Sequence, residues 1–440
     1  MKKLTLLLCL MLLLSACAKT PAKEPEPPNS EPAADSKDES RADSKDPDNS
    51  AVVQPTAGPI NVDENGKEYT IKDLTQPITD FSFRWLAQDT VLKDIEAGKN
   101  VMLSPFSLYE DMSMLANGAS GETLDEILKT FGASSNAQLN GITTFDGGDD
   151  LTISNSIWVK DTMGDLNQEY ISRIEPYQAG VFSRPFDDTT KDEVNQWVSE
   201  KTNGMIPEFL KQMNQDAVML LFNAVCFEGK WQLPYEDYQI AEGEKFTNAR
   251  GEKEQATMLM SGYECTYFSL NEADCAVKMY EGDKLAFVAI RPKDGQTVAE
   301  FLSGLTGEDF LAAYRTAYHP DELDVRIPEF SYDYDISASE DMQKMGIEKA
   351  FTDDAEFSGL LESGTPLKIS SIVQKTHIEL DRTGTKAAAV TEIEMEECAM
   401  EEPEDIDRKE VILDRPFVYA IVESESGLPI FIGAVNTVQP

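Results

Sequence analysis

Hydrophobic and polar positions follow helical spacing in several stretches of the chain. Between Ile78 and Ile95 apolar residues recur every three or four positions, which predicts one helical stretch that ends near Gly98. The segment VMLSPFSLYEDMSMLANGAS at 101–120 predicts a short strand, a Ser-Pro turn and a helix. The segment DEVNQWVSEKTNGMIPEFL at 192–210 predicts a further helix, broken at its Asn-Gly pair.

Strand patterns fill much of the remaining sequence. The segment at 151–160 alternates between apolar and polar residues, and the one at 218–231 is apolar on both faces, as a central strand would be. Segments 284–295 and 322–336 predict further strands, and 416–438 predicts a hairpin that closes at a Ser-Gly pair. The chain contains no repeat, so these elements predict one mixed domain rich in antiparallel strands.

The N-terminal part of the chain is organised differently. Residues 1–16 combine two lysines with a short apolar run, which predicts a signal peptide because about 20 apolar residues are needed to span a bilayer. Residues 17–71 are rich in Pro, Ser, Asp, Glu and Lys, a composition typical of a disordered tether. The folded domain is therefore expected from about residue 72 to residue 440.

The sequence Leu-Ser-Ala before Cys17 resembles the lipobox of bacterial lipoproteins. In those proteins the cysteine becomes acylated, so the resemblance implies lipidation at Cys17, membrane attachment and a location at the bacterial cell surface. A plain signal peptide with a cysteine near its cleavage site is the alternative.

The net charge limits the possible binding partners, and the cysteines limit the possible disulfides and metal sites. The formal charge of -42 leaves no basic surface for phosphates, so nucleic acid is excluded as a partner. Beyond the N-terminal region the cysteines are Cys226, Cys265, Cys275 and Cys398. Cys265 and Cys275 flank a predicted hairpin turn, and the sequence leaves undecided whether a cross-strand disulfide joins them. No CxxC pair supports a metal site.

Catalytic motifs are missing from the sequence. His319 and His377 are the only histidines, and neither accompanies a GxSxG-type nucleophile motif. The sequence also has no glycine-rich phosphate loop. We therefore expect that the protein is not an enzyme and uses no cofactor, although a secreted hydrolase remains a disfavoured alternative.

Five short motifs carry a family resemblance because they follow one another in the family's order. They are NVMLSPFS at 100–107, NAVCFEGKW at 223–231, Phe351 with FSGL at 357–360, GTKAAA at 384–389, and RPF at 415–417 with PIFIGAVN at 429–436. Over about 370 residues the chain resembles the serpins.

This resemblance implies an α+β fold: a single serpin-like domain with three β-sheets, eight to nine helices and an exposed reactive-centre loop at about 384–413. It also implies an irreversible suicide-substrate inhibitor of extracellular serine proteases, which we expect to be monomeric. In the family a protease attacks the loop and forms an acyl-enzyme, and the cleaved loop then inserts as a strand in the central sheet.

The loop sequence is compatible with insertion because its two faces differ. One face carries Thr385, Ala387, Ala389, Thr391, Ile393 and Met395, while the other carries Lys386, Ala388, Val390, Glu392, Glu394 and Glu396. The first face is uncharged, so it can be buried. The resemblance assigns the hinge to Gly384, Thr385, Lys386, Ala387, Ala388, Ala389, Val390 and Thr391. An acidic loop that alternates by chance, and a non-inhibitory serpin acting as a substrate or cell-surface binding module, remain alternatives.

Family spacing from Gly384 places the reactive bond at Cys398–Ala399. Met395 and Met400 are alternative bait residues, and in that case Cys398 would be an incidental free thiol. A small residue before the bond favours elastase-like or subtilisin-like proteases. Residues 392–410 hold ten acidic residues. That charge favours cationic proteases, including those of a host.

The sequence departs from the family pattern at the sheet-opening region and just before the hinge. The family's buried histidine is replaced by Gln374, which with Ser104, Ser107 and Asn223 is expected to form the sheet-opening cluster. Glutamine can donate and accept hydrogen bonds, so we expect the cluster to persist. The acidic pair that usually precedes the hinge glycine is replaced by Arg382-Thr383.

Overall fold

Fifteen strands and ten α-helices are present in the part of the chain that the computed structural model describes, residues 59–148, 151–385 and 406–439. The helices are α1 Thr75–Leu86, α2 Asp89–Glu96, α3 Pro105–Ala116, α4 Gly121–Thr130, α5 Asn136–Leu139, α6 Gln168–Ile174, α7 Asp188–Lys201, α8 Val298–Ser303, α9 Gly307–Tyr314 and α10 Ser339–Lys344. The strands are β1 Val101–Leu103, β2 Leu151–Lys160, β3 Gly180–Arg184, β4 Met219–Phe227, β5 Ile240–Thr247, β6 Lys253–Ser261, β7 Thr266–Leu270, β8 Ala273–Met279, β9 Leu285–Arg291, β10 Glu322–Pro328, β11 Phe330–Ser337, β12 Ser371–Leu380, β13 Arg408–Ile412, β14 Phe417–Glu423 and β15 Pro429–Val435.

The strands form three sheets. Their orders are β1-β15-β14-β9-β8-β7, β13-β10-β6-β5 and β11-β12-β4-β2-β3. The α+β class and the three sheets are thus confirmed, while the described chain has ten α-helices where eight to nine were expected.

The single helical stretch predicted between Ile78 and Ile95 is wrong, because two helices occupy it. Helix α1 ends at Leu86, and Gln88 adopts an extended backbone (φ -70°, ψ 146°) before α2 begins. The apolar spacing continues across the break since both helices bury Ile78 and Ile95 against the same core. Periodicity alone therefore could not locate the interruption.

The segment 322–336 also divides, at Glu329. Strand β10 pairs with β6 and β13, whereas β11 pairs with β12 in the five-stranded sheet. The helix predicted at 192–210 is α7, which ends at Lys201, and residues 202–210 are not helical. The other predicted strands and the hairpin of β14 and β15 agree with the structure.

Strand β4 lies in the middle of the five-stranded sheet and contributes to two cores. Met219, Leu221, Val225 and Phe227 join the main core, and Leu220, Phe222 and Ala224 join a smaller core that packs on α7. This two-sided burial explains why its sequence is apolar on both faces. Strand β12 lies beside it in parallel, from Ser371 opposite Leu220 to Thr376 opposite Val225.

Residues 59–71 were assigned to the tether, yet they pack on the domain. Asn61 Nδ2 donates to the carbonyl of Tyr69 at 2.7 Å, and Val62 forms an antiparallel bridge with Glu68. Asn140 Nδ2 donates to the carbonyl of Ile60 at 2.8 Å. The packed chain therefore begins earlier than residue 72. Among the described residues, no helix is long and apolar enough to cross a membrane.

Cys265 and Cys275 are separate buried thiols. The Cys265 thiol donates to Ser261 Oγ at 3.5 Å, and Cys275 lies opposite Phe268 in the β7–β8 hairpin. The cross-strand disulfide considered from the sequence is therefore not formed in this structure.

Candidate functional site

The candidate site lies where β4 and β12 separate. Their parallel pairing stops at Thr376 and Val225, although β12 continues along β11 to Leu380. The chain then turns back at 381–385 toward the residues that follow β4. The end of this pairing lies inside the sheet, because β12 and β4 are both interior strands.

Gly384 and Thr385, the two predicted hinge residues that the structure describes, lie at the end of this pairing. Thr385 N donates to the carbonyl of Gly229 at 2.6 Å, and Gly384 forms a bridge with Lys230. Gly384 has a φ of 151°, and a Cβ there would overlap the Gly229 carbonyl oxygen, so this position requires glycine. The side chain of Thr385 is 1% exposed.

Asp381 fixes the turn that leads into the hinge. Its Oδ1 accepts hydrogen bonds from the backbone nitrogens of Thr383 at 2.7 Å and Gly384 at 3.2 Å. A carboxylate that accepts successive backbone donors stabilises a tight turn. The backbone of Thr383 and Gly384 is therefore held in a defined turn.

Two aromatic rings form the floor beneath Thr385. The hydroxyls of Thr385 and Tyr280 share a hydrogen bond at 2.9 Å, and the Tyr280 ring stacks on Trp231 at 4.6 Å with an interplanar angle of 8°. Trp231 Nε1 donates to the carbonyl of Asp381 at 3.0 Å. Burial raises the pKa of Tyr280, so its hydroxyl stays protonated and available for hydrogen bonding. Sequence reasoning missed Tyr280, which lies outside every motif.

A buried ion pair lies beside this aromatic floor. Lys278 Nζ is 3.1 Å from Glu264 Oε1, and the two side chains are 2% and 7% exposed. The ammonium group also lies 4.4 Å from the centroid of the Tyr235 ring. Because removing either partner would leave an unpaired buried charge, the pair constrains how this region can rearrange.

Arg382, one of the departures from the family pattern, has a partner in the structure. Its Nε lies 3.4 Å from Glu329 Oε1, with both side chains partly exposed. Its carbonyl oxygen accepts a hydrogen bond from Tyr235 N at 3.0 Å. Arg382 stands where the family usually has an acidic residue, and its charge is compensated by Glu329, which lies between β10 and β11.

The four residues of the predicted sheet-opening cluster are brought together, and Ser104 takes part through its backbone. Ser104 N donates to Gln374 Oε1 at 2.8 Å, and Gln374 Nε2 donates to the Ser104 carbonyl at 2.9 Å and to Asn223 Oδ1 at 2.5 Å. Asn223 Nδ2 donates to Ser107 Oγ. All four residues are fully buried. The glutamine therefore forms the hydrogen bonds expected of it.

Asn155 and Glu110 extend this cluster, and sequence reasoning missed both. The strand registers place Gln374 opposite Asn223 and Asn223 opposite Asn155, so the three amides form a row across β12, β4 and β2. Asn155 Nδ2 donates to Glu110 Oε2 at 2.9 Å and to the Ser107 carbonyl at 3.2 Å. The row therefore links the sheet to α3.

Replacing Gln374 by alanine is expected to lower the free energy of unfolding by about 3 kcal/mol, because it leaves buried partners on Ser104 and Asn223 unsatisfied. Chemical denaturation of the variant measures this loss. Gln374→His is the control and should lose much less, since an imidazole also donates and accepts. Equal stability of the wild type and Gln374→Ala would contradict this account of the cluster.

Asp111 is a buried carboxylate next to this cluster, on α3. It is 0% exposed, and neither of its side-chain oxygens has a hydrogen-bond partner. Burial, followed by the neighbouring Glu110, raises its pKa well above the usual value. The structure thus buries on α3 an unsatisfied acidic side chain with a raised pKa.

Several predicted site residues cannot be placed. Lys386, Ala387, Ala388, Ala389, Val390, Thr391, Cys398, Ala399 and Cys17 lie outside the described residues. His377 pairs with Asp333 at 2.7 Å on the outer face of β11 and β12, away from any nucleophile motif. Within the described ranges no three His, Cys, Asp or Glu side chains are grouped to hold a metal ion.

Comparison with known proteins gives the family. The model of the serpin family, described as serine protease inhibitors, matches residues 76–438. An uncharacterised serpin-like protein of Methanosarcina mazei is 26% identical over 414 residues, covering 88% of this chain and 93% of its own length. The chain therefore belongs to the serpin family.

Solved structures agree with this assignment. Native-state tengpin, a thermophilic serpin, matches with a TM-score of 0.74 and 31% identity, over 84% of this chain and 95% of tengpin. Human thyroxine-binding globulin matches with a TM-score of 0.73 at 22% identity, over 83% of this chain and 99% of the globulin. The second likeness concerns the fold alone, and it shows that the fold also occurs in a protein named for thyroxine binding.

Proposed function

We propose that this serpin irreversibly traps extracellular serine proteases as a suicide substrate. The burial of Thr385 at the junction of β4 and β12 carries this proposal. The first residue of the uncharged loop face already lies where insertion would begin. The next residues of that face, Ala387 and Ala389, are small and uncharged, so they can follow it.

The chemistry of trapping begins as ordinary proteolysis. The protease serine attacks the carbonyl carbon of Cys398, the peptide bond to Ala399 breaks, and the new amine leaves with the proton from the serine hydroxyl. The loop then remains joined to the protease as an ester. Insertion of the loop between β4 and β12 carries the ester-linked protease away from the loop's original position before water hydrolyses the bond.

The bait residue suggests the class of target. Cys398 presents a small, moderately apolar side chain, which fits the shallow specificity pockets of elastase-like or subtilisin-like enzymes. Trypsin-like enzymes require a cationic side chain at this place. Cationic proteases, including host enzymes, are further favoured by the acidic loop.

A serpin-fold protein that is only cleaved, or that acts as a cell-surface binding module, is the alternative. The likeness to thyroxine-binding globulin shows that the fold alone does not decide between them. The uncharged hinge face favours inhibition, because a loop that never inserts has no need of a face compatible with burial.

We further propose that the protein is secreted and held at the bacterial cell surface by a lipid on Cys17. The proposal rests on the sequence before Cys17 and on the tether composition that follows it. Globomycin-sensitive processing and labelling with a radioactive fatty acid would test it. Cys17→Ser should abolish the label.

Mixing the purified protein with an elastase or with subtilisin tests the inhibitory function. We expect a covalent complex that survives boiling in detergent and a released C-terminal peptide that begins at Ala399. Mass spectrometry of that peptide locates the bond. Clean cleavage with no complex, for elastase, subtilisin and a cysteine protease alike, would support the substrate alternative instead.

The acidic loop also predicts a salt-dependent association rate. Raising the salt concentration from 50 mM to 500 mM should slow association with a cationic elastase by about tenfold or more, because screening removes electrostatic steering. Stopped-flow or progress-curve kinetics measure the rate. A variant with glutamine at the four acidic residues 401, 402, 404 and 405 should show a shallower salt response, and a flat response in the wild type would contradict the steering argument.

A further inference from the structure

The exposed large apolar side chains are clustered in this structure. Across the described residues they are Leu233, Tyr238, Tyr263 and Tyr318, which are 39%, 70%, 68% and 40% exposed. Scattered exposed apolar residues need no explanation, but a cluster often marks an interaction site. Each of the four lies close to a point where the undescribed segment 386–405 joins the domain.

Leu233 lies beside the N-terminal junction of that segment. It stands between Trp231, whose backbone nitrogen donates to Thr383, and Tyr235, whose backbone nitrogen donates to Arg382. These two bonds, each 3.0 Å long, hold the Leu233 segment against the hinge.

Tyr318 and Tyr263 lie beside the C-terminal junction. Tyr318 Oη donates to Asp407 Oδ2 at 2.8 Å, one residue before β13 begins. Tyr263 lines an open groove of roughly 700 Å³ together with His319, Pro320 and Arg408. The groove is thus continuous with the strand that ends the loop.

Tyr238 belongs to the same surface. Gln239, the next residue, donates its side-chain amide to the carbonyl of Met260 at 3.0 Å, three residues before Tyr263. The antiparallel pairing of β5 with β6 sets Ile240 opposite Leu259, so Tyr238 and Tyr263 both lie just beyond the same end of this strand pair. The two most exposed tyrosines are therefore neighbours.

The chain length between bait and domain limits where a captured protease can lie. Six residues lie between Ala399 and Ile406, and the seven steps along the chain span at most about 25 Å when fully extended. A protease of about 220 residues has a radius of gyration of about 17 Å. An enzyme bound at the bait bond is therefore held within a distance of the loop base that is comparable with its own size.

The charge of the groove agrees with the charge of the loop. Asp321, Glu322, Asp324 and Glu410 line it, against Arg408 and Lys409. Arg408 is paired with Glu322 and Lys409 with Asp407, so the cations are already compensated. A partner with basic residues around an apolar patch would complement this surface.

We propose that Tyr238 and Tyr263, with the groove beside them, form a docking surface for the body of a cationic serine protease held on the reactive-centre loop. This proposal rests on the proposed inhibitory function and assigns a second recognition element to it. The loop supplies the scissile bond, and the tyrosine surface increases the rate and affinity of the encounter. Tyrosine is suited to this role because it buries a large area with few rotatable bonds.

The test compares Tyr238→Ser/Tyr263→Ser with the wild type, using an elastase-like cationic protease. We expect the association rate constant to fall about tenfold while the stoichiometry of inhibition stays unchanged. Binding of the same protease, inactivated by replacing its active-site serine with alanine, should weaken by a similar factor. Gln343→Ser is the control, because α10 packs near the first residues of β12, at the strand end opposite the hinge. This control should behave as the wild type.

Different results would contradict the docking surface and the trapping mechanism. If the double variant binds the inactivated protease as tightly as the wild type, the docking surface is refuted whatever the wild type does. If the wild type forms no covalent complex yet the double variant still loses affinity, the surface stands and the trapping mechanism falls. Thermal unfolding should be unchanged in the variants because both tyrosines are exposed.

Discussion

Replacing Thr385 by arginine is expected to abolish covalent trapping while leaving cleavage of the loop intact. The Thr385 side chain is 1% exposed and bonds the buried hydroxyl of Tyr280, so a guanidinium there would be an unpaired charge next to Trp231. The arginine could not occupy this buried position, so the insertion that we propose starts from it should stall and give the protease time to deacylate. The number of serpin molecules consumed per protease inactivated should rise from about one to more than ten, in titrations of residual protease activity.

Lys386→Glu is the matched control for this change. It alters the charge at the adjacent position, but the alternation places that residue on the outward face. It should retain full trapping, and the Tyr280→Phe variant should show an intermediate effect because only one hydrogen bond is lost. Full trapping by Thr385→Arg would contradict the idea that this face is buried on insertion.

Replacing Asp111 by alanine is expected to stabilise the native protein. Both carboxylate oxygens of Asp111 are buried without a hydrogen-bond partner, and alanine removes them at a helical position where it is the best-suited residue. The free energy of unfolding should rise by about 2 kcal/mol at pH 7. Asp125→Ala, at an exposed position on α4, is the control and should change it by less than about 0.5 kcal/mol.

The pH dependence of this effect has a defined sign. Because the pKa of Asp111 is raised in the folded state, its contribution is most favourable below the unfolded pKa of about 3.9. That contribution is lost as the pH rises toward the folded pKa, at about 1.4 kcal/mol per pH unit. Asp111→Asn removes the titration but keeps a buried polar group, so it separates the pH slope from the cost of burial. The same pH slope in the wild type and in Asp111→Asn would contradict this account.

Asp111 also connects stability to function. It lies on α3, which the amide row of Asn155, Asn223 and Gln374 links to the five-stranded sheet through Ser107 and Glu110. A protein that must rearrange during inhibition gains from a native state that is not too stable. The more stable Asp111→Ala variant should therefore insert its loop more slowly and consume more molecules per protease trapped.

The sequence was sufficient for elements that depend on local pattern. The two-faced burial of β4, the Ser-Pro start of α3 and the closing hairpin of β14 and β15 follow from residue order alone. The break between α1 and α2 and the division at Glu329 did not, because in each case the burial pattern continues across the interruption.

The site was predicted in part for a similar reason. Motifs marked Gln374 and Asn223, but the third amide of the row, Asn155, is defined by strand register and has no local signal. Likewise Tyr280 meets Thr385 only through the approach of chain segments more than a hundred residues apart. The contacts that could not be predicted from the sequence are therefore those between segments that are far apart in the chain.

The crystal structure of the protein after cleavage in its reactive-centre loop tests the central claim most directly. We predict that the segment following Thr385 runs between β4 and β12 as a new strand, antiparallel to both, so that the five-stranded sheet gains a sixth member. Gln374 would then no longer lie opposite Asn223 in a paired register. A cleaved structure in which β4 and β12 keep the parallel register of Ser371 with Leu220 through Thr376 with Val225 would contradict the account.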